Sequence, residues 1–147
     1  MLLSYGGWEP EPWVDRLPRL LEPMGITSHR ARSGREASEV IRATPIHVAI
    51  VDLGLPLDAS ESDVRRAAFA EGGIHLLSLL QRMGTTPPTV VVKRGKTTRD
   101  DQRELSAALR AGAFAVVDRP RESRDVELVL EVLRRLVTKH YEGRWPA

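Results

Sequence analysis

Apolar and polar positions along the chain follow two alternating rhythms. Short unbroken apolar runs, of strand length, are separated by stretches in which apolar residues recur every three or four positions, the spacing of one helix face. Leu2 and Leu3 open a short first strand, ended by Tyr5, Gly6 and Gly7. Leu17, Leu20, Leu21 and Met24 then predict a helix over about 13–24. Pro18 fits that helix only if Asp15 is its N-cap, which would put the proline in the first turn. Gly25 ends it, and 26–31 reads as a second strand. Ser33 followed by Glu36 has the capping-box spacing, and Ala37, Val40 and Ile41 mark an inward helix face up to Thr44 and Pro45.

Val48 to Val51 is the most strand-like run, β-rich and apolar throughout, as a strand covered on both faces requires. It stops at Asp52, and Gly54 and Pro56 turn the chain. Ile74, Leu76, Leu77, Leu80 and Met83 predict the next helix, which stops at Gly84. A strand over 89–92, a helix over about 99–111, a strand over 114–117 and a helix over about 124–140 complete the series. In that last helix Val126, Val129, Leu130, Leu133 and Val137 face inward.

Strand and helix patterns thus alternate along the whole chain. Such alternation builds right-handed βαβ units and a parallel sheet with helices on both faces. The economical solution is a flavodoxin-like, doubly wound α/β fold, five strands in order 2-1-3-4-5 with five helices. One piece does not fit a minimal version. The segment 57–72 is much longer than a βα connection of about 2–6 residues. Ser60 with Asp63, and Val64, Ala67, Ala68 and Phe69, predict an extra helical insertion there. Residues 1–141 are expected to form a single domain and 142–147 a peripheral tail.

Composition changes this picture little. A chain of 147 residues buries roughly 68–70% of its unfolded surface, enough for a core without disulfides or metal. The absence of cysteine excludes disulfides, thiol catalysis and Cys-based metal sites. The N-terminus lacks a basic region followed by an apolar core, so no signal peptide is expected. No apolar run approaches the ~18 residues that span a bilayer. A cytoplasmic location with no membrane partner is expected. The formal net charge of +2 is mild, and the Arg65–Arg66 and Arg134–Arg135 clusters carry no aromatics placed to stack on bases, which argues against a nucleic-acid partner.

Candidate chemistry centres on Asp52. In open α/β sheets ligands gather beyond the carboxyl ends of the strands, and Asp52 stands at that address. Its simpler reading is a strand-terminal turn cap. His29, His47, His75 and His140 show no metal-binding spacing and no triad partner. Gly6–Gly7 lacks the further glycines or lysine of a nucleotide-binding turn. Trp8 and Trp13 offer either a partner-binding patch, a lid, or packing against the insertion.

Several segments, in order, resemble response-regulator receiver domains of the CheY type. They are Ser33-Gly34-Arg35-Glu36-Ala37, Val51-Asp52 through Leu55-Pro56, Gly73 to Leu77, Ala111-Gly112-Ala113, and Arg119-Pro120. The resemblance implies the fold above and makes Asp52 the counterpart of the phosphoacceptor aspartate. It also exposes departures. The family's acidic metal-binding pair falls on Tyr5 and Gly6, and its hydroxyl residue on Lys93, followed by Arg94. Its lysine becomes Arg119, and its aromatic switch residue Val116.

Such a site sets Asp52 against Lys93, Arg119 and Arg94. That balance repels Mg²⁺ and favours pairing Asp52 with Arg119 or Lys93. Asp52 and Asp58 are only weak metal candidates; Glu61 and Asp63 could join them if the insertion folds back, but capping a short helix is the simpler use of these acids. Lys93 and Arg119 could alternatively hold an anion. The resemblance therefore implies an atypical receiver with no enzymatic activity and no cofactor, acting by protein–protein interaction. Its partner would be a histidine kinase or a downstream effector, and residues 99–140 would serve effector contact or homodimerisation. The alternative is a phosphoacceptor of a two-component phosphorelay, modified on Asp52 by a histidine kinase and needing Mg²⁺.

Overall fold

The computed structural model of the chain describes residues 1–5, 12–57, 72–93 and 97–144. Its elements are β1 (Leu2–Ser4), α1 (Pro12–Leu21), β2 (His29–Ala31), α2 (Gly34–Ala43), β3 (Ala49–Asp52), α3 (Gly72–Gln81), β4 (Thr89–Lys93), α4 (Thr98–Arg110), β5 (Ala115–Asp118) and α5 (Ser123–Tyr141). The strands form one five-stranded sheet in the order β2-β1-β3-β4-β5. Every pairing is parallel. This is the doubly wound topology expected from the alternation. The extra helix anticipated within 57–72, and with it Asp58, Glu61 and Asp63, lies outside the described residues, as do Gly6, Trp8 and Arg94.

Strand alternation sorts the core into two layers. Leu3, Val48, Ile50, Val90, Val92 and Val117 point to one face, where Trp13, Val14, Leu17 and Leu21 of α1 and Val126, Val129, Leu133 and Leu136 of α5 cover them. Leu2, Ala49, Val51 and Val91 point to the other, under Ala37 of α2, Leu76, Leu77 and Leu80 of α3 and Ala108 of α4. The burial is nearly complete in β3 and β4, whose apolar residues from Ala49 to Val51 and Val90 to Val92 are all 0% exposed. Inward faces were largely as read, except that Leu20 and Ile74 are exposed and Leu136 is buried.

Local signals set most boundaries. The Ser33 hydroxyl accepts the Glu36 N–H at 3.1 Å and starts α2, while Glu36 Oε2 accepts the Arg32 N–H. Two boundaries differ from the pattern. Helix α1 begins at Pro12 and carries Pro18 in its interior, so Asp15 is not its N-cap. Asp15 instead pairs with Arg30 at 2.8 Å. A mid-helix proline costs about 3 kcal/mol; burying Trp13, Val14, Leu17 and Leu21 in one stripe offsets it. Strand β2 starts late because Ile26 closes the preceding turn. After a 3-10 turn at Glu22–Met24, Gly25 takes φ 76°. Its N–H bonds Glu22 O while Ile26 N–H bonds Leu21 O, a Schellman termination that uses the residues expected to open the strand. No described helix is long and apolar enough to cross a membrane.

Candidate functional site

Because the sheet is parallel, all its strands end on one edge. In register, Asp52 lies beside Val92 and Lys93 beside Asp118. Tyr5 follows β1 and Arg119 follows β5. The main chain thus brings Tyr5, Asp52, Lys93 and Arg119 to the same edge, as expected.

Asp52 is fully buried, with 0% exposure. Its Oδ1 accepts the Gly54 N–H at 2.7 Å, and its carbonyl accepts the Leu55 N–H at 3.0 Å, closing a turn. Its own N–H goes to Ser4 Oγ at 3.3 Å, and the Ser4 hydroxyl donates to Ile50 O at 2.8 Å. A buried serine at the end of β1 therefore extends the β1–β3 seam one step past its backbone pairs, Leu2 with Ala49 and Leu3 with Ile50. Ser4 was missed as a site residue; a hydroxyl within the apolar opening run was the available signal.

The loop after Asp52 is clamped between two helix starts. Pro56 O accepts the Gly34 N–H at 2.9 Å, and Leu57 O accepts the Arg35 N–H at 3.1 Å. Those first-turn donors of α2 are therefore committed to the loop rather than open to an anion. On the other side, α3 approaches so closely that a Cβ on Gly73 would lie 2.5 Å from Asp52 O, and one on Gly72 2.2 Å from Pro56 O. The Gly72–Gly73 pair is what lets this helix seat against the Asp52 loop.

Lys93 goes elsewhere. By alternation Asp52 lies on the α1–α5 side of the sheet with Ile50, and Lys93 on the opposite side with Val91. Its Nζ is 3.3 Å from Asp118 Oδ1 and 3.5 Å from Asp101 Oδ1. A hydrogen bond to Asp118, with the charges of Asp118 and Asp101, raises the Lys93 ammonium above its ordinary range, against the opposing effect of burial. Of the two cations expected to neutralise Asp52, Lys93 is thus engaged by other carboxylates. Sequence spacing could not show which face the strand end presents. Asp101 and Asp118 are further site residues that sequence reasoning missed.

Tyr5 packs partly buried against the α1–α5 core, and its N–H bonds Ala31 O at 3.1 Å. Arg119 is half-buried at the same edge. Val116 is half-buried under the α2–α4 layer. Trp13, considered for a partner patch, is a core residue at 3% exposure, and its indole Nε1 has no hydrogen-bond partner. A bound Mg²⁺ needs several oxygen ligands in octahedral array. Ser4 and Tyr5 at the end of β1 supply no carboxylate, and no group of three potential metal ligands occurs among the described residues.

No family model and no curated protein matches the chain. Solved structures do. A response-regulator receiver domain protein (CheY-like) from Methanospirillum hungatei is 19% identical with a TM-score of 0.65, over 97% of this chain and 96% of its own. The signal receiver domain of a histidine kinase from Syntrophus aciditrophicus is 21% identical with a TM-score of 0.63, over 96% and 92%. A receiver protein from Pseudoalteromonas atlantica is 17% identical with a TM-score of 0.62, over 94% and 96%. At these identities the likeness is one of architecture: the chain has the flavodoxin-like fold of CheY-type receiver domains.

Proposed function

We propose that this chain is an atypical receiver domain that works in signal transduction through protein–protein contact, without Mg²⁺-dependent phosphorylation of Asp52. The observation that carries the reading is the state of Asp52. By resemblance it is the counterpart of the phosphoacceptor aspartate, yet it is fully buried with Oδ1 engaged by the Gly54 N–H. A carboxylate that must leave a turn and reach solvent before it can attack phosphorus is a poor nucleophile. By the same resemblance, the acidic pair that would hold the metal for phosphoryl transfer falls on Tyr5 and Gly6, neither of which is a carboxylate.

The exchange of signal then falls to a surface. Leu105 and Leu109 on α4 and Leu128 on α5 are 41%, 63% and 57% exposed. They fall within residues 99–140, the region proposed for an effector or a second copy. Under the rival reading, a histidine kinase phosphorylates Asp52 and the insertion furnishes the metal ligands. Titration of labelled protein with beryllofluoride and Mg²⁺, followed by amide NMR, tests the proposal. It predicts no saturable shifts at Asp52–Leu57 or along β5. Saturable, Mg²⁺-dependent shifts there would overturn it.

A further inference from the structure

Helix α4 is weakly anchored by apolar packing. Of its thirteen residues only Ala108 is fully buried, whereas α5 buries Val126, Val129, Leu133 and Leu136. An element with so few buried apolar contacts belongs to the low-stability end of a fold. Polar contacts tie α4 down at both ends. At its C-terminus Gln81 Nε2 donates to Arg110 O at 3.3 Å. In its first turn Asp101 meets the ammonium of Lys93, which also meets Asp118 across the β4–β5 ladder. Lys93 therefore touches three elements at one point: it ends β4, faces the end of β5, and holds the start of α4. Its side chain is 20% exposed against 46% for Asp101 and 87% for Asp118, so the stem is covered while the head sits between the carboxylates.

We propose that Lys93 is an electrostatic clamp that fixes the first turns of α4 against the β4–β5 edge, holding the α4–β5 surface in one arrangement with no phosphoryl group present. A neutral hydroxyl at this strand end could turn toward an arriving anion. An ammonium already shared by two carboxylates must break both contacts to do so, and Lys93 lies on the opposite side of the sheet from Asp52. As a statement about regulation the clamp rests on the receiver reading above; as a statement about how α4 is held it does not.

Hydrogen exchange of the full chain, read by peptide mass, tests it with Lys93→Met, Lys93→Gln, Lys93→Arg, Asp101→Asn and Asp118→Asn. At low salt, Lys93→Met and Lys93→Gln should speed exchange over 98–104 roughly two- to five-fold, the range expected for partly exposed ion pairs. Asp101→Asn should do the same, Asp118→Asn should reproduce part of it, and Lys93→Arg should retain wild-type protection. The difference should shrink near 1 M salt, where the screening length is about 3 Å, and amides of β1 and β3 should be unaffected throughout. Wild-type exchange at α4 in Lys93→Met, or an equal acceleration across the whole sheet, would overturn the clamp. A parallel arm adds acetyl phosphate and Mg²⁺ to wild type. Unchanged α4 exchange supports the regulatory claim, and a donor-induced change overturns that claim while the variants still decide the structural one.

Discussion

Ser4 Oγ accepts the Asp52 N–H and in the same position donates its proton to Ile50 O, at 3.3 and 2.8 Å. Both partners are backbone groups of a fully buried strand. Removing the hydroxyl leaves a donor in the dry interior with no route to water, a penalty of about 1–3 kcal/mol. Ser4→Ala should lower stability by that amount in urea denaturation with an unchanged slope. A loss under about 0.5 kcal/mol, the low end for a single net hydrogen bond, would mean that Ser4 does not hold the Asp52 strand end.

Gly73 should not tolerate a methyl group. Its added Cβ would meet Asp52 O at 2.5 Å and Leu53 Cα at 2.8 Å, both main-chain atoms. Gly73→Ala must push α3 away from the loop, at a cost of about 1–3 kcal/mol or more for overpacking. Gly84→Ala is the control, since nothing lies within 4 Å of a Cβ there. Thermal melts of the two variants should separate clearly, with Gly84→Ala at or slightly above wild type.

The start of α5 carries an acid-sensitive cap. Asp125 Oδ2 accepts the Arg121 N–H at 2.9 Å and the Glu122 N–H at 3.1 Å. These bonds, Arg121 first, hold the carboxyl below its ordinary value of 3.8. A depressed carboxyl stabilises the folded state above the unfolded value, and that contribution is lost as pH falls through the lower folded value. Asp125→Ala should therefore melt at a lower temperature than wild type near neutral pH. The gap should close below pH 3.8. A gap that persists unchanged into strong acid would show that the side chain acts through something other than its charge.

The far end of α5 titrates in the opposite direction. Tyr141 donates its hydroxyl to His47 O, and burial raises its phenol above the ordinary 10.0, against a lowering effect of Arg144. A raised phenol stabilises the folded state below the unfolded value and loses that contribution as pH rises through the folded one. Tyr141→Phe should cost about 0.5–1.5 kcal/mol at neutral pH, one net hydrogen bond. Denaturant midpoints of wild type and variant should converge above pH 10.0. A constant difference across that range would contradict the assignment.

The architecture was legible because strand and helix periods differ so plainly along the chain. Five apolar runs and the breaks between them left one economical topology, and Ser33 with Glu36 marked the start of α2 as read. Pro18 misled because local backbone cost was weighed without the buried stripe of α1 that offsets it. The site was less legible. Its residues could be placed on one edge, but which side of the sheet Lys93 faces depends on parity at a strand end, and a one-residue step reverses it. Asp101 and Asp118 reach Lys93 only through tertiary placement, so no spacing announced them. The burial of Trp13, by contrast, shows how an aromatic near a predicted site can serve only the core.

Under the proposed function, Asp52 is the counterpart of a phosphoacceptor but does not serve as one. Intact-protein mass after incubation with acetyl phosphate and Mg²⁺, with Asp52→Ala and a chelator as controls, tests it most directly. An unchanged mass in a folded protein is the expected result. A gain of one phosphoryl group that disappears in Asp52→Ala and with chelator would contradict it, and would make the chain a working phosphoacceptor.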